Sequence, residues 1–215
     1  MNVNFNSSFN KCSFGTRIVV SERAFRELPI DELKRAGKYS GYPWGIAESF
    51  IAADGYTDEA SNCTMVCLMP EKGPKGFLSH LSPTYIEQFE EMETRIREVV
   101  KELTELPENR SRKISGILIG GRCQLYSDDY NRSKDLYSRL LYLFKKLHLD
   151  FTAILGRLQG DDFEGGHANL YFSVPQKHVV ISILPYNTAP RSTRELGSQF
   201  DIVHISRNDE IVFAD

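Results

Sequence analysis

The chain has 215 residues with 26 basic against 29 acidic side chains, a net charge of -3, which suits one sizeable domain or one domain with an appended subdomain. That balance gives no overall attraction to nucleic acid or to an acidic membrane surface, and no apolar run approaches the roughly 18 to 20 residues of a membrane helix. Four cysteines without a CxxC pair are too few for a disulfide scaffold, and Met1 to Thr16 is too polar for a secretory signal, so the expectation is a soluble protein with reduced thiols, cytoplasmic or delivered to another cell by a route without a Sec signal peptide.

Residues 1–50 read as an N-terminal arm and flanking subdomain. Met1 to Gly15 is rich in Asn and Ser, Arg17-Ile-Val-Val is a short strand, and the segment from Pro29 to Ala36, stopped by Gly37, is a short helix with Pro early and Gly at its end. Lys38 to Gly45 is an aromatic, Gly-containing loop with the single tryptophan, Trp44, a composition that suits either packing or a contact surface. Residues 51–215 read as the main domain. Ser49 to Ala53 is a strand, closed by Asp54-Gly55.

The stretch from Thr57 to His80 organises the remainder. It reads as a polar loop entering a buried strand at Cys63, a reversal over Pro70 to Gly76, and a second strand carrying His80. Paired as a hairpin, these strands bring a thiol and an imidazole side by side. A thiol with pKa near ~8.5 is only slightly ionised at neutral pH and needs such a partner to become a nucleophile. A small buried cysteine and an ordinary strand histidine are the plain structural alternative. Cys67 shares the strand face of Cys63 but lies deeper in the apolar run, which makes it the rival thiol.

Ser82-Pro83 starts a helix whose apolar positions Ile86, Phe89, Met92, Ile96, Val99, Val100 and Leu103 form one stripe. Glu87, Glu91, Arg95 and Glu98 are read as i,i+4 pairs on the other face. Pro107 to Lys113 is a charged linker, and Ile114 to Ile119 has the continuous apolar character of a central strand, ending in Gly120-Gly121. Capping residues from Ser127 precede a second amphipathic helix through Leu136, Leu140, Leu143, Phe144 and Leu147. Phe151 to Leu155 is a strand. The Gly-rich loop Gln159 to His167 supplies His167, the rival imidazole. Leu170 to Val174 and His178 to Leu184 form a hairpin, and Asp201 to Ser206 with Glu210 to Phe213 form a second one at the C-terminus. No metal-ligand spacing is present.

The spacing of six residues from Thr57 to Cys63 and seventeen from Cys63 to His80 resembles the catalytic Thr, Cys and His of the CheD-like protein glutamine deamidases. The likeness continues through Lys113-Ile-Ser-Gly-Ile-Leu-Ile-Gly120-Gly121, Asn131-Arg132 and Gly165-Gly-His167, so that it covers Thr57 to Leu184. Two long amphipathic helices among about eight strands imply an α/β fold, a layered sandwich with mixed, largely antiparallel sheets, and the resemblance implies its α/β/β layering. It implies Cys63 as nucleophile, His80 as proton carrier, Thr57 as the group that orients it, and Ser61, Asn62, Gly120, Gly121 and His167 as residues near the substrate. The family usually has Gly-Ser before the Cys where this chain has Ser61-Asn62, a change in the polarity of the entrance. The cytotoxic necrotizing factors share the fold and the Cys/His pair. The implied partner is a protein with an exposed glutamine, and no metal or organic cofactor is required. Two alternatives stand beside this: a non-catalytic interaction module using the loop around Trp44, and another cysteine hydrolase or a transglutaminase-like enzyme.

Overall fold

A computed structural model describes residues 15–40, 50–60, 62–109, 113–120, 130–156, 167–184 and 200–214. In chain order the elements are β1 (Arg17–Val20), α1 (Glu22–Arg26), α2 (Ile30–Arg35), β2 (Tyr39–Ser40), β3 (Phe50–Ala52), β4 (Asp54–Ala60), β5 (Thr64–Pro70) and β6 (Gly76–Leu81). A 3-10 turn (Pro83–Gln88) leads into α3 (Phe89–Glu105), followed by β7 (Ile114–Gly120), α4 (Tyr130–Lys146), β8 (Asp150–Gly156), β9 (His167–Ser173), β10 (His178–Leu184), β11 (Phe200–His204) and β12 (Glu210–Phe213).

The strands form two six-stranded mixed sheets, in the orders β12-β1-β10-β9-β4-β2 and β11-β8-β7-β5-β6-β3. The first is sheet A and the second sheet B. Parallel pairing joins β1 to β10 and β12, β2 to β4 and β7 to β8, and the other pairs are antiparallel.

Side-chain alternation along β5 explains the layering. Met65, Cys67 and Met69 point into a core shared with Ile18, Val20, Leu170, Phe172, Val179 and Ile181 of sheet A, while Val66 and Leu68 point the other way, onto Met92, Ile96, Val99 and Leu103 of α3 and Leu136, Leu140, Leu143 and Phe144 of α4. A strand buried on both faces has no polar positions to alternate with, hence its unbroken apolar run. Phe25, Leu28 and Leu33 close the outer face of sheet A against Tyr56 and Val180. The order of layers is therefore two long helices, sheet B, sheet A: an α/β fold, with α1 and α2 added outside sheet A.

Several local readings hold. The Thr57 to His80 stretch does contain an antiparallel pair, β5 with β6, β9 and β10 are a hairpin, and Gly37 ends its helix at φ +68, the left-handed region that favours glycine. Others are corrected. Thr57 lies in strand β4, not in a loop. The first six residues after Ser82 are a 3-10 turn, capped by the Ser82 hydroxyl accepting from the Thr84 N–H at 3.5 Å. Glu87 pairs with Arg132 of α4 at 2.8 Å rather than along its own helix. Trp44 and its loop lie outside the described residues.

Two larger corrections concern the ends. β1 is no flank: it sits between β10 and β12 with Ile18 and Val20 in the central core. Nor is there a C-terminal hairpin, since β11 joins β8 in sheet B and β12 joins β1 in sheet A. Asp209 explains the crossing. Its Oδ1 accepts from the Thr16 N–H at 2.9 Å and its Oδ2 from the Thr152 hydroxyl at 2.6 Å, so one carboxylate ties the start of sheet A to β8 of sheet B.

His178 opens β10 directly opposite Arg17. Burial, and secondarily the Arg17 charge, hold its imidazole down to about 4. Because the folded pKa lies below the unfolded value near ~6.5, His178 contributes stability above that value and loses it as the pH falls toward about 4. Urea unfolding of wild type and His178→Gln is expected to diverge over this window, approaching ~3 kcal/mol at its acid end. Parallel pH profiles for the two proteins refute it.

Candidate active site

β4 belongs to sheet A and β5 to sheet B, so Cys63, directly before β5, stands where the chain crosses from one sheet to the other. Tyr56 faces outward, onto the α1 and α2 side. Thr57 next to it faces inward, and a register shift between Thr57 and Ala60 marks the end of regular pairing with β9. On β6, Leu78 points into the inter-sheet core, and His80, two residues on, shares its face. The two meet across the sandwich: Thr57 Oγ1 and His80 Nδ1 are hydrogen-bonded at 2.8 Å.

Cys63 faces the same layer, in the cluster with Met65 and Cys67. Met65 is the direct cross-strand partner of His80. Cys63 lies two residues before Met65, directly ahead of β5, a position diagonal to His80 at about 7–8 Å between backbones. Thr57 from sheet A and Cys63 and His80 from sheet B thus face the layer between the two sheets, and each is at most 1% exposed. Exclusion of water strengthens the Thr57–His80 bond.

Cys67 shows what burial does to a thiol in this layer. It is fully buried, and desolvation raises its thiol far above the ordinary range, with the Lys177 charge only partly opposing. Both are reduced cysteines. Brief alkylation followed by peptide mapping is expected to label Cys63 well before Cys67, and the reverse order would transfer the nucleophile role to Cys67.

The other expected site residues divide. Asn62 is half-buried beside Cys63. The backbone of Gly120 pairs with Thr64, one residue from Cys63, but a side chain there would meet Leu155 Cδ1 at 2.6 Å and Tyr137 Cδ2 at 2.8 Å, so its lack of one serves packing on the helix side. His167 begins β9 opposite Leu184, and the next residue, Ala168, pairs with Ala60; its backbone is therefore at the crossover end of sheet A. Ser61, Gly121 and the Gly-rich loop before His167 lie outside the described residues. Among the described residues no group of three His, Cys, Asp or Glu is placed to hold a metal ion, and no helix is long and apolar enough to cross a membrane. Comparison with protein-family models and with curated proteins finds no match.

Proposed function

We propose that this chain is a protein-glutamine deamidase of the CheD-like kind, with Cys63 as nucleophile, His80 as proton carrier and Thr57 as positioning residue. The observation that carries the reading is the buried 2.8 Å bond between Thr57 Oγ1 and His80 Nδ1, made across two sheets with Cys63 on the same face. A histidine held through one nitrogen by a third group is the arrangement that leaves the other nitrogen to move a proton.

In the tautomer the reaction uses, Nδ1–H donates to Thr57 Oγ1 and Nε2 takes the Cys63 proton. The thiolate attacks the side-chain carbonyl carbon of a glutamine, forming a C–S bond. The tetrahedral oxyanion collapses as Nε2–H gives its proton to the departing nitrogen, and ammonia leaves. Water then adds to the thioester with Nε2 as base, the C–S bond breaks, the proton returns to sulfur, and glutamate remains. The backbone N–H of Cys63 is the candidate oxyanion donor, a group typically worth ~2.7 to 4 kcal/mol. The substrate is a glutamine exposed on another protein. A carboxamide reaches Cys63 only by displacing whatever covers it, so a glutamine on a protruding segment suits the site better than one on a flat surface.

The test is incubation of the wild-type protein with lysate proteins and mass spectrometry of the products. A one-dalton gain at defined glutamines is the expected result. Transfer of added amines onto those glutamines instead would favour a transglutaminase-like reaction, and no change would reject catalysis on carboxamides.

A further inference from the structure

We propose that β11 is a docking edge for a second copy of this chain, the two β11 strands pairing antiparallel across a two-fold axis so that sheet B runs on from one molecule into the other. β11 closes the order of sheet B, with β8 as its one neighbour there. Every second residue of such an edge turns its backbone N–H and C=O outward, a ready template for another strand. Asp201, Ile202, Val203, His204 and Ile205 are all exposed. Among the described residues the strongly exposed large apolar side chains are Tyr142 and, together on this edge, Ile202, Val203 and Ile205 at 48%, 45% and 45%.

The other sheet edges are protected in ways β11 is not. β2 and β3 are two and three residues long, too short to template a strand. β12 is half-buried after Glu210, with Ile211 and Phe213 packed on the inter-sheet core. β11 contains neither lysine nor proline, the residues that discourage edge pairing. Its register shift between Ile202 and His204, and Ser206 beyond it, whose N–H donates to the Thr152 hydroxyl at 3.2 Å, confine the pairing to a short stretch.

Charge decides for a second copy over another partner. Asp201 opens the exposed run, and Arg207, also exposed, follows it. In an antiparallel pair centred on Val203, Asp201 stands opposite Ile205 of the second copy, and Arg207 of that copy, two residues further on, is diagonal to it and within reach of a long side chain. The two-fold axis repeats this contact at the other end, so the apolar stretch meets itself between two opposite-charge contacts. A nucleic acid or an acidic membrane would instead meet Asp201 and the exposed Glu210 as like charges. Because the pairing uses the same strand on both molecules, it closes at two copies.

Thr57 and His80 meet at β6, four strands from β11 in the order of sheet B, so the deamidase reading stands or falls separately. Sedimentation equilibrium of the full chain from about 1 µM to about 1 mM is expected to show a monomer–dimer transition with a Kd on the order of 10 µM, the class of a small interface. Val203→Lys, which sets like charges across the axis, and Ile205→Lys are each expected to raise that Kd by at least about tenfold. Asp201→Arg and Arg207→Asp are each expected to raise it by about threefold to tenfold, and their combination to bring it back toward wild type. All four positions are exposed, so melting temperatures are expected to stay near that of the wild type; if Val203→Lys melts early, Ile205→Lys decides. A wild type that is monomeric throughout, a dimer indifferent to both lysine variants, or an open-ended series of larger species overturns the proposal.

Discussion

Cys63→Ala is expected to abolish the one-dalton gain at target glutamines, a loss on the order of 10⁴- to 10⁶-fold, while the protein remains folded. The substitution removes one sulfur from a buried position at the edge of the inter-sheet core, a change of about 1 kcal/mol that leaves every strand pairing in place. His80→Ala is expected to lose about 10²- to 10⁴-fold, because Cys63 is then left in the same apolar layer that keeps Cys67 protonated. Thr57→Val removes only the hydroxyl that holds Nδ1, worth about one neutral hydrogen bond and hence about tenfold in rate, and Thr57→Ser restores it. The graded series is what separates catalysis from packing: mass spectrometry of a modified target gives the rates, and thermal unfolding gives the fold. Turnover persisting in Cys63→Ala, or equal losses in all three variants tracking their melting temperatures, would exclude the assigned roles.

Much of this arrangement is legible in residues 57 to 81 because the hairpin is local. An apolar run, a Pro/Gly reversal and a second apolar run specify β5 and β6 and so the relation of His80 to Met65 and Cys63. The contribution of Thr57 is harder to read. Its strand is β4, and the inward position that should be apolar is a threonine bonded to His80, so the period-2 pattern breaks at the residue that matters. Tyr56 and Thr57 alternating out and in was the available signal. The terminal strands fail for a different reason. Arg17–Val20 pairs with residues about 160 and 190 positions away, and Asn208-Asp209 has the composition of a hairpin turn while the Asp209 carboxylate uses both oxygens to bridge the sheets. Turn residues report local geometry and say nothing of which sheet the next strand joins. Glycine is ambiguous in the same way: Gly120 suggests a substrate loop by its neighbour Gly121, yet its own spacing to Tyr137 and Leu155 gives a packing reason.

The largest effect on stability is expected from Phe144→Ala, with a loss of about 3–5 kcal/mol and a fall in Tm of about 10 °C. Phe144 is fully buried between α4 and sheet B and meets Phe151 edge-on, with ring centroids 5.7 Å apart at 83°. It fits there because β7 has no side chain beneath it: a Cβ at Gly116 would lie 2.6 Å from Phe144 Cε2 and 2.9 Å from Cδ2. Gly116→Ala is therefore expected to destabilise by about 1–3 kcal/mol through overpacking. In the Phe144→Ala background the ring is gone, so the added methyl enters vacated space and the double variant should be less destabilised than the sum of the two. Urea unfolding of the four proteins measures this, and simple additivity would mean that the ring does not rest on Gly116. The pair lies on the helix side of sheet B, whereas Thr57 and His80 meet on its other side. Activity per folded molecule is accordingly expected to survive both substitutions at temperatures where the variants are native, because the strand that follows Cys63 is held in register by its neighbours β6 and β7 rather than by the layer behind it.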